Sequence, residues 1–272
     1  MRDRSEPLHV EIVVVGREIL RGRIRDDNAA WIGAELSLRG AIVHRVTIVD
    51  DSERAVNAAV SEALVRRAGL VVTTGGLGPT LDDRTLAGVA DAVRLPLAPS
   101  PPARAMVEKA YSRLEGSREV ERSGLTAARE KLCTILVGSE PIENPEGVAP
   151  GVLLKRTGGA AVLCLPGLPD ECRSVFDRAL PLLKGLLPHG VQARREVETP
   201  TKDESALRPW LDRVAREHPG VWIKAHAAGF GKRKGPVVVS IEAFAPTRKE
   251  SELLVDGALR RLLALAGGGA GK

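Results

Sequence analysis

A doubly wound, mostly parallel α/β sheet in three layers, followed by a smaller α/β domain, is the fold predicted by this 272-residue sequence. Three observations carry the prediction. From His9 to Val93, short β-branched runs alternate with amphipathic ones in the order β-α-β-α-β-α, which argues for parallel strands with helices on both faces. Glycine-rich loops follow the first and third strands at Gly16 and Gly75–Gly78, at the strand ends where open α/β sheets place their ligands. Composition then changes at Lys184–Val191, so residues 1–186 read as one domain and 187–272 as a second.

The elements follow in order. His9–Val15 is an apolar strand ending at Gly16, and Asp26, Asp27 and Asn28 precede a helix that ends at Gly40. Ala41–Val49 is the second strand, and Asp50-Asp51-Ser52 caps the next helix. Leu70–Thr74 is the central buried strand, and Leu86–Val93 is helical. Pro96–Pro102 reads as a proline-dense connection to a helix over Ala103–Leu114. Thr126–Leu132 reads as helix and Ile135–Val137 as a strand fragment; Val152–Lys155 and Ala161–Leu165 form a hairpin around Gly158-Gly159. A helix spans Asp170–Leu183. In the second domain, strands are expected at Arg194–Glu198, Val221–Ala225 and Val237–Ala243, with helices at Asp203–Arg216 and Lys249–Leu265.

Composition excludes several classes of function. Apolar residues make up 43% and charged residues 28%, ordinary for a globular chain with a proper core. No apolar stretch reaches the ~18–20 residues needed to span a bilayer, and the apolar run near the amino terminus is a strand rather than a signal-peptide core. Cys133, Cys164 and Cys172 form no CxxC pair, which argues against a disulfide framework or structural zinc and for a cytoplasmic protein. The five histidines show no metal-ligand spacing. The net charge of +5 is modest and suits a phosphorylated small molecule better than nucleic acid. The Lys-Arg-Lys turn within Gly229–Gly235 has no aromatic platform beside it.

The chemistry concentrates in Gly69–Thr85, GLVVTTGGLGPTLDDRT. Gly75, Gly76 and Gly78 let backbone approach a phosphate, and Asp82 or Asp83 would cap the following helix and leave its N-terminal N–H groups facing the loop. The paired carboxylates add a place for a divalent cation. Glu18, Asp26, Asp27 and Asn28 lie on the neighbouring loop, where Asp26 also reads as an N-cap.

The string TTGGLGPTxDDxT resembles the signature of the molybdopterin-binding (MoCF, MoaB/MogA-like) domain superfamily, and within it the N-terminal part of CinA-type proteins. Three further motifs agree with the CinA-like pattern in chain order. They are Gly16, Glu18, Ile19, Leu20, Gly22 and Asn28 after the first strand; Asn144-Pro145-Glu146-Gly147-Val148-Ala149-Pro150-Gly151; and Leu165-Pro166-Gly167-Leu168-Pro169 with Glu171. Arg17 departs from the family's usual Thr or Asp, and an arginine there favours direct phosphate contact over a cation site. Asp203-Glu204-Ser205 is similar to a short segment that follows the first domain in the family. Near Ala128–Lys131, Arg129 or Lys131 meets phosphate or lies on a solvated helix face.

The resemblance implies a metal-dependent nucleotide pyrophosphatase that cleaves ADP-ribose, or a related dinucleotide such as FAD, to mononucleotides. The alternative is a molybdopterin- or nucleotide-binding protein of molybdenum-cofactor assembly, acting by binding or adenylyl transfer. On the hydrolase reading Asp83, Asp82 and Glu18 are catalytic, with Asp83 and Glu18 on Mg²⁺ (or Mn²⁺ or Co²⁺). The ligand would meet Gly16, Asn28, Thr74, Gly75, Gly76, Gly78, Thr80, Asn144, Gly147, Gly151, Pro166 and Gly167. Family members commonly self-associate, so a homo-oligomer, as a dimer, is expected.

Overall fold

The computed structural model describes residues 7–156, 159–226 and 235–268. Its contacts divide the chain into two units. One comprises Met1–Ser37 with Ala41–Pro188, the other Leu38–Gly40 with His189–Lys272.

The first unit is built on a six-stranded sheet ordered β2-β1-β3-β8-β7-β6. β1 (Leu8–Val15), β2 (Ala41–Val49), β3 (Leu70–Thr74) and β8 (Ala161–Leu165) run parallel, while β7 (Gly151–Lys155) and β6 (Glu140–Ile142) are antiparallel to their neighbours. Alternate residues of β1 and β3 enter two separate cores. Val13, Val15 and Val71 pack with α3 (Glu53–Val65), α4 (Thr85–Val93) and α5 (Pro101–Gly116). Ile12, Val14, Leu70 and Val72 pack with α2 (Asn28–Ser37) and α7 (Pro169–Leu183). Burial on both faces is why these strands are continuous apolar runs rather than alternating ones.

Caps set the helix starts in ordinary ways. Ser52 accepts from the Ala55 N–H at 3.3 Å, and Asp26 accepts from the N–H groups of Asn28 and Ala29, both at 3.2 Å. Thr126 caps the short α6 (Ala127–Lys131).

Several expectations change. The proline-dense connection contains β4 (Leu97–Pro99), which pairs antiparallel with β5 (Thr134–Leu136). Ser100 caps α5, and Pro101-Pro102 form its first turn, where a missing N–H costs no hydrogen bond. The sequence signal also missed β6, a three-residue edge strand containing Pro141, because proline is tolerated only where the ladder ends. The β7–β8 hairpin is present, although Gly158 lies outside the described residues.

Neither Asp82 nor Asp83 caps α4. That helix begins at Thr85 after Arg84, with no side-chain cap. Its first N–H is taken by the Gly76 carbonyl at 3.1 Å, so it does not face the loop as a free donor.

The second unit is a three-stranded antiparallel sheet, β10-β11-β9. Its strands are β9 (Val191–Glu198), β10 (Val221–His226) and β11 (Val238–Ala245). α8 (Glu204–Glu217) and α9 (Arg248–Gly268) cover one face through Leu207, Val214, Val255, Ala258 and Leu262. Asp203 caps α8 by accepting from the Ser205 N–H at 2.9 Å. Most of the basic turn within Gly229–Gly235 lies outside the described residues. No helix of the described residues is long and apolar enough to cross a membrane.

Candidate functional site

The chain leaves β1 for β2 on one side and reaches β3 on the other. A crevice therefore opens between the carboxyl ends of β1 and β3, the usual ligand position in such sheets. A cleft of about 580 Å³ occupies this place. Segments following β1, β2, β3 and β8 all contribute to its wall.

The floor is the Gly75–Gly78 turn. Gly75 and Gly76 hold φ of +92° and +65°, a region that favours glycine. A Cβ on Gly75 would collide with the Val15 carbonyl oxygen, and one on Gly76 with the Thr85 hydroxyl. Thr85 is fully buried and donates its hydroxyl to the Gly75 carbonyl at 2.8 Å. Leu77 anchors the turn in the core below. The Gly75 N–H donates to the Leu165 carbonyl at 3.0 Å, tying the turn to the end of β8.

Ten of the expected residues meet on this wall: Glu18, Asn28, Thr74, Gly75, Gly76, Gly78, Asp82, Asp83, Pro166 and Gly167. Asn28 joins two of the segments by donating to the Gly167 carbonyl at 2.8 Å. Asp83 accepts from the Thr80 N–H at 2.8 Å. The Thr80 hydroxyl lies within hydrogen-bond distance of both Asp82 and Asp83, and its one proton serves one of them at a time. That hydrogen bond holds the Asp82 carboxyl below its usual range.

Five expected residues are absent from the wall: Gly16, Thr80, Asn144, Gly147 and Gly151. Asn144 is buried and organises its loop from within. Its amide donates to the Ala149 carbonyl at 2.9 Å and to Glu171 at 2.6 Å, while its oxygen accepts from the N–H groups of Glu146 and Gly147. Asn144 thus acts through Ala149 and Glu171, both of which line the cleft. The Glu171 carboxylate fills the space a Cβ on Gly147 would need, and Val175 does the same at Gly151.

Three basic residues weighed as phosphate contacts do not line the cleft. Arg17 turns to Asp50, with its Nε at 3.0 Å and a terminal nitrogen at 2.7 Å from the same oxygen. Its backbone N–H donates to Asp51 at 3.1 Å. The side chain is therefore spent on an ion pair and does not line the cleft. Arg129 donates to the carbonyls of Arg122 and Gly124 and stacks 3.8 Å above the Tyr111 ring. Lys131 is bonded to three carbonyls of the glycine loop.

Sequence reasoning missed Asp51. It was legible only as a helix cap, yet it follows β2, and the carboxyl end of that strand also opens on the cleft. Burial pushes its carboxyl above the usual range, and the charges of Glu18 and Asp50 add to this. Arg25, Ile19, Ile24 and Leu168 complete the wall. The three cysteines are buried thiols, with Cys164 pushed up to about 11 and Cys172 to about 12 by burial, which makes them inert packing.

The charge balance of the cleft is sharply negative. Glu18, Asp26, Asp27, Asp51, Asp82, Asp83 and Glu171 line it against the single guanidinium of Arg25. A bare phosphate would meet repulsion there, whereas a phosphate carrying its own cation would not. Among the described residues, no three His, Cys, Asp or Glu side chains converge as a metal cage. Mg²⁺ needs no such cage, being held by one or two carboxylates together with substrate phosphates and water.

Comparison with known proteins places this geometry. Residues 11–185 match the family model described as "Probable molybdopterin binding domain". A protein of Aeropyrum pernix is 40% identical over 88% of this chain and 87% of its own length. One of Pyrobaculum calidifontis is 36% identical over 93% and 94%, respectively. The crystal structure of the protein CinA, of unknown function, from Thermoplasma acidophilum is 36% identical. It covers 64% of this chain and 98% of that one, with a TM-score of 0.58. The chain therefore belongs to the molybdopterin-binding domain family, with a CinA-like first unit.

Proposed function

We propose that the cleft binds a phosphorylated ligand of the molybdopterin or nucleotide class, and that the protein acts in molybdenum-cofactor assembly by binding or adenylyl transfer. The observation that carries this reading is the Gly75–Gly78 turn at the β1/β3 crevice, inside the region matched by the molybdopterin-binding family. The turn offers close backbone approach to a phosphate, and Ile19, Ile24 and Leu168 offer apolar wall to a ring system. Equilibrium binding of molybdopterin, ADP-ribose and FAD, each with and without Mg²⁺, tests it. Failure of all three to bind under both conditions would sink the proposal.

A second reading, hydrolysis of the ADP-ribose or FAD pyrophosphate, is favoured by the seven carboxylates around the turn. Asp83 and Glu18 would hold a divalent cation, with Mg²⁺, Mn²⁺ or Co²⁺ suited to oxygen donors. Bound there, the cation neutralises phosphate oxygens and lowers the pKa of water. Asp82 and Asp51 would add negative charge beside it, and the glycine turn would seat the diphosphate. Water adds across the pyrophosphate of ADP-ribose, giving AMP and ribose 5-phosphate. AMP release that needs the metal and disappears in Asp83→Asn and Glu18→Gln would support hydrolysis. Tight binding with no release would leave the binding module alone.

A further inference from the structure

Lys131 reaches the glycine loop from behind. It does not line the ligand cleft; it lines a neighbouring cavity of about 290 Å³, with Leu86 and Ile135, that shares Gly76, Leu77, Gly78 and Asp83 with the cleft. Its Nζ donates to the carbonyls of Gly78 at 3.2 Å, Asp83 at 2.6 Å and Thr80. A lysine ammonium has three N–H donors and no acceptor, so the three carbonyls satisfy it in full. Burial lowers the pKa of this ammonium while the charges of Asp83 and Asp82 oppose the shift, yet among the described residues it forms no ion pair with either.

This pattern has a physical consequence. Three backbone carbonyls converging on one point repel one another unless a cation sits between them, and in many loops that cation is a bound ion. Here a side chain from α6 supplies it. The segment so pinned, Gly78 to Asp83, contains Thr80 and both aspartates of the cleft wall.

We propose that Lys131 is a positioning residue: a built-in cation that curls the Gly78–Asp83 loop into its ligand-receiving shape and takes the place of a bound monovalent ion. The ligand part of this inference rests on the binding function proposed above; the loop part does not. Two variants of the full chain, Lys131→Ala and Lys131→Met, test it, the second retaining an apolar stem should the first fold poorly. Hydrogen exchange of the amides over residues 76–85 should become about tenfold faster, as expected on losing charge-assisted hydrogen bonds. Exchange in β1 and β3 should not change. In Lys131→Ala, excess ammonium or ethylammonium chloride should slow the loop again, because each brings N–H donors to the vacated carbonyls. Tetramethylammonium, which has no donor, should not.

Binding of Mg²⁺ with ADP-ribose should weaken in parallel and recover with the same two salts. Unchanged exchange in both variants would overturn the proposal, as would loosening that neither ammonium salt reverses. If the wild type binds no ADP-ribose while the exchange pattern holds, the proposed function fails and the built-in cation stands. If a loosened loop binds ADP-ribose as tightly as wild type, the positioning role is overturned.

Discussion

The two units place their polar groups by opposite rules. In the first, β1 and β3 are buried on both faces, so charge is kept out of these strands and gathers where they end. Glu11 is the exception, a charged side chain only 2% exposed on β1, held by a bidentate Arg66 at 2.8 and 2.7 Å. In the second unit, helices cover one sheet face, while the other carries Arg194, Glu196, Trp222 and Glu242. Its ion pairs, such as Arg194–Glu196 and Arg213–Glu217, lie in water. A doubly covered sheet concentrates chemistry at its edges, whereas a singly covered one spreads charge over a surface where each pair counts for little.

The largest test of this contrast is Phe176→Ala, which empties a fully buried position in the α7 face of the first unit. It should cost about 3–5 kcal/mol in chemical denaturation; a loss below ~1 kcal/mol would mean that the core there collapses freely. Next comes Glu11→Gln, which removes the buried partner of Arg66 but leaves it Glu62, and should lower stability at neutral pH by less than Phe176→Ala does. The Arg66 hydrogen bond holds the Glu11 carboxyl below its ordinary value of 4.5. Its contribution is therefore complete above that pH and is lost as pH falls through the lowered folded value. The gap between wild type and Glu11→Gln should accordingly narrow in acid, and a gap constant from pH 7 to pH 3 would refute the ion-pair account.

Gly75→Ala should come third. It places a Cβ against the Val15 carbonyl at a φ of +92°, costing about 2 kcal/mol and abolishing ligand binding in the cleft. Intact binding would show that the turn is not the ligand floor. The smallest effect is expected from Glu217→Gln in the second unit. Arg261 and Arg213 pull this exposed carboxyl down to about 2, but solvent screens both pairs. Its melting temperature at neutral pH should match wild type, and a clear drop would erase the distinction between buried and exposed pairs.

Legibility followed the same divide. β1 and β3 could be read from composition because double burial demands apolar runs, and the edge strand β2 from its β-branched residues. β4 and β6 could not, since each is three residues long and contains a proline. In the site, the glycine turn was legible because positive φ selects glycine. The roles of Thr80, Asn144 and Arg17 were not, because each depends on a partner the motif does not specify. Thr80 turns to its neighbouring aspartates, Asn144 to Ala149 and Glu171, and Arg17 to Asp50.

What the sequence determined by itself was the alternation of elements, the crevice position and the identity of the turn that forms its floor. Those follow from burial periodicity and backbone sterics, which act along the chain. Only the tertiary structure decided that Asp51 joins the cleft, that Asn144 supports it from within, and that Lys131 fills a carbonyl cage behind the loop. Hydrogen bonds and charge pairs join residues distant in sequence, as Asn144 to Glu171 and Lys131 to Thr80 do. Their partners exist only once the strands have brought their ends together.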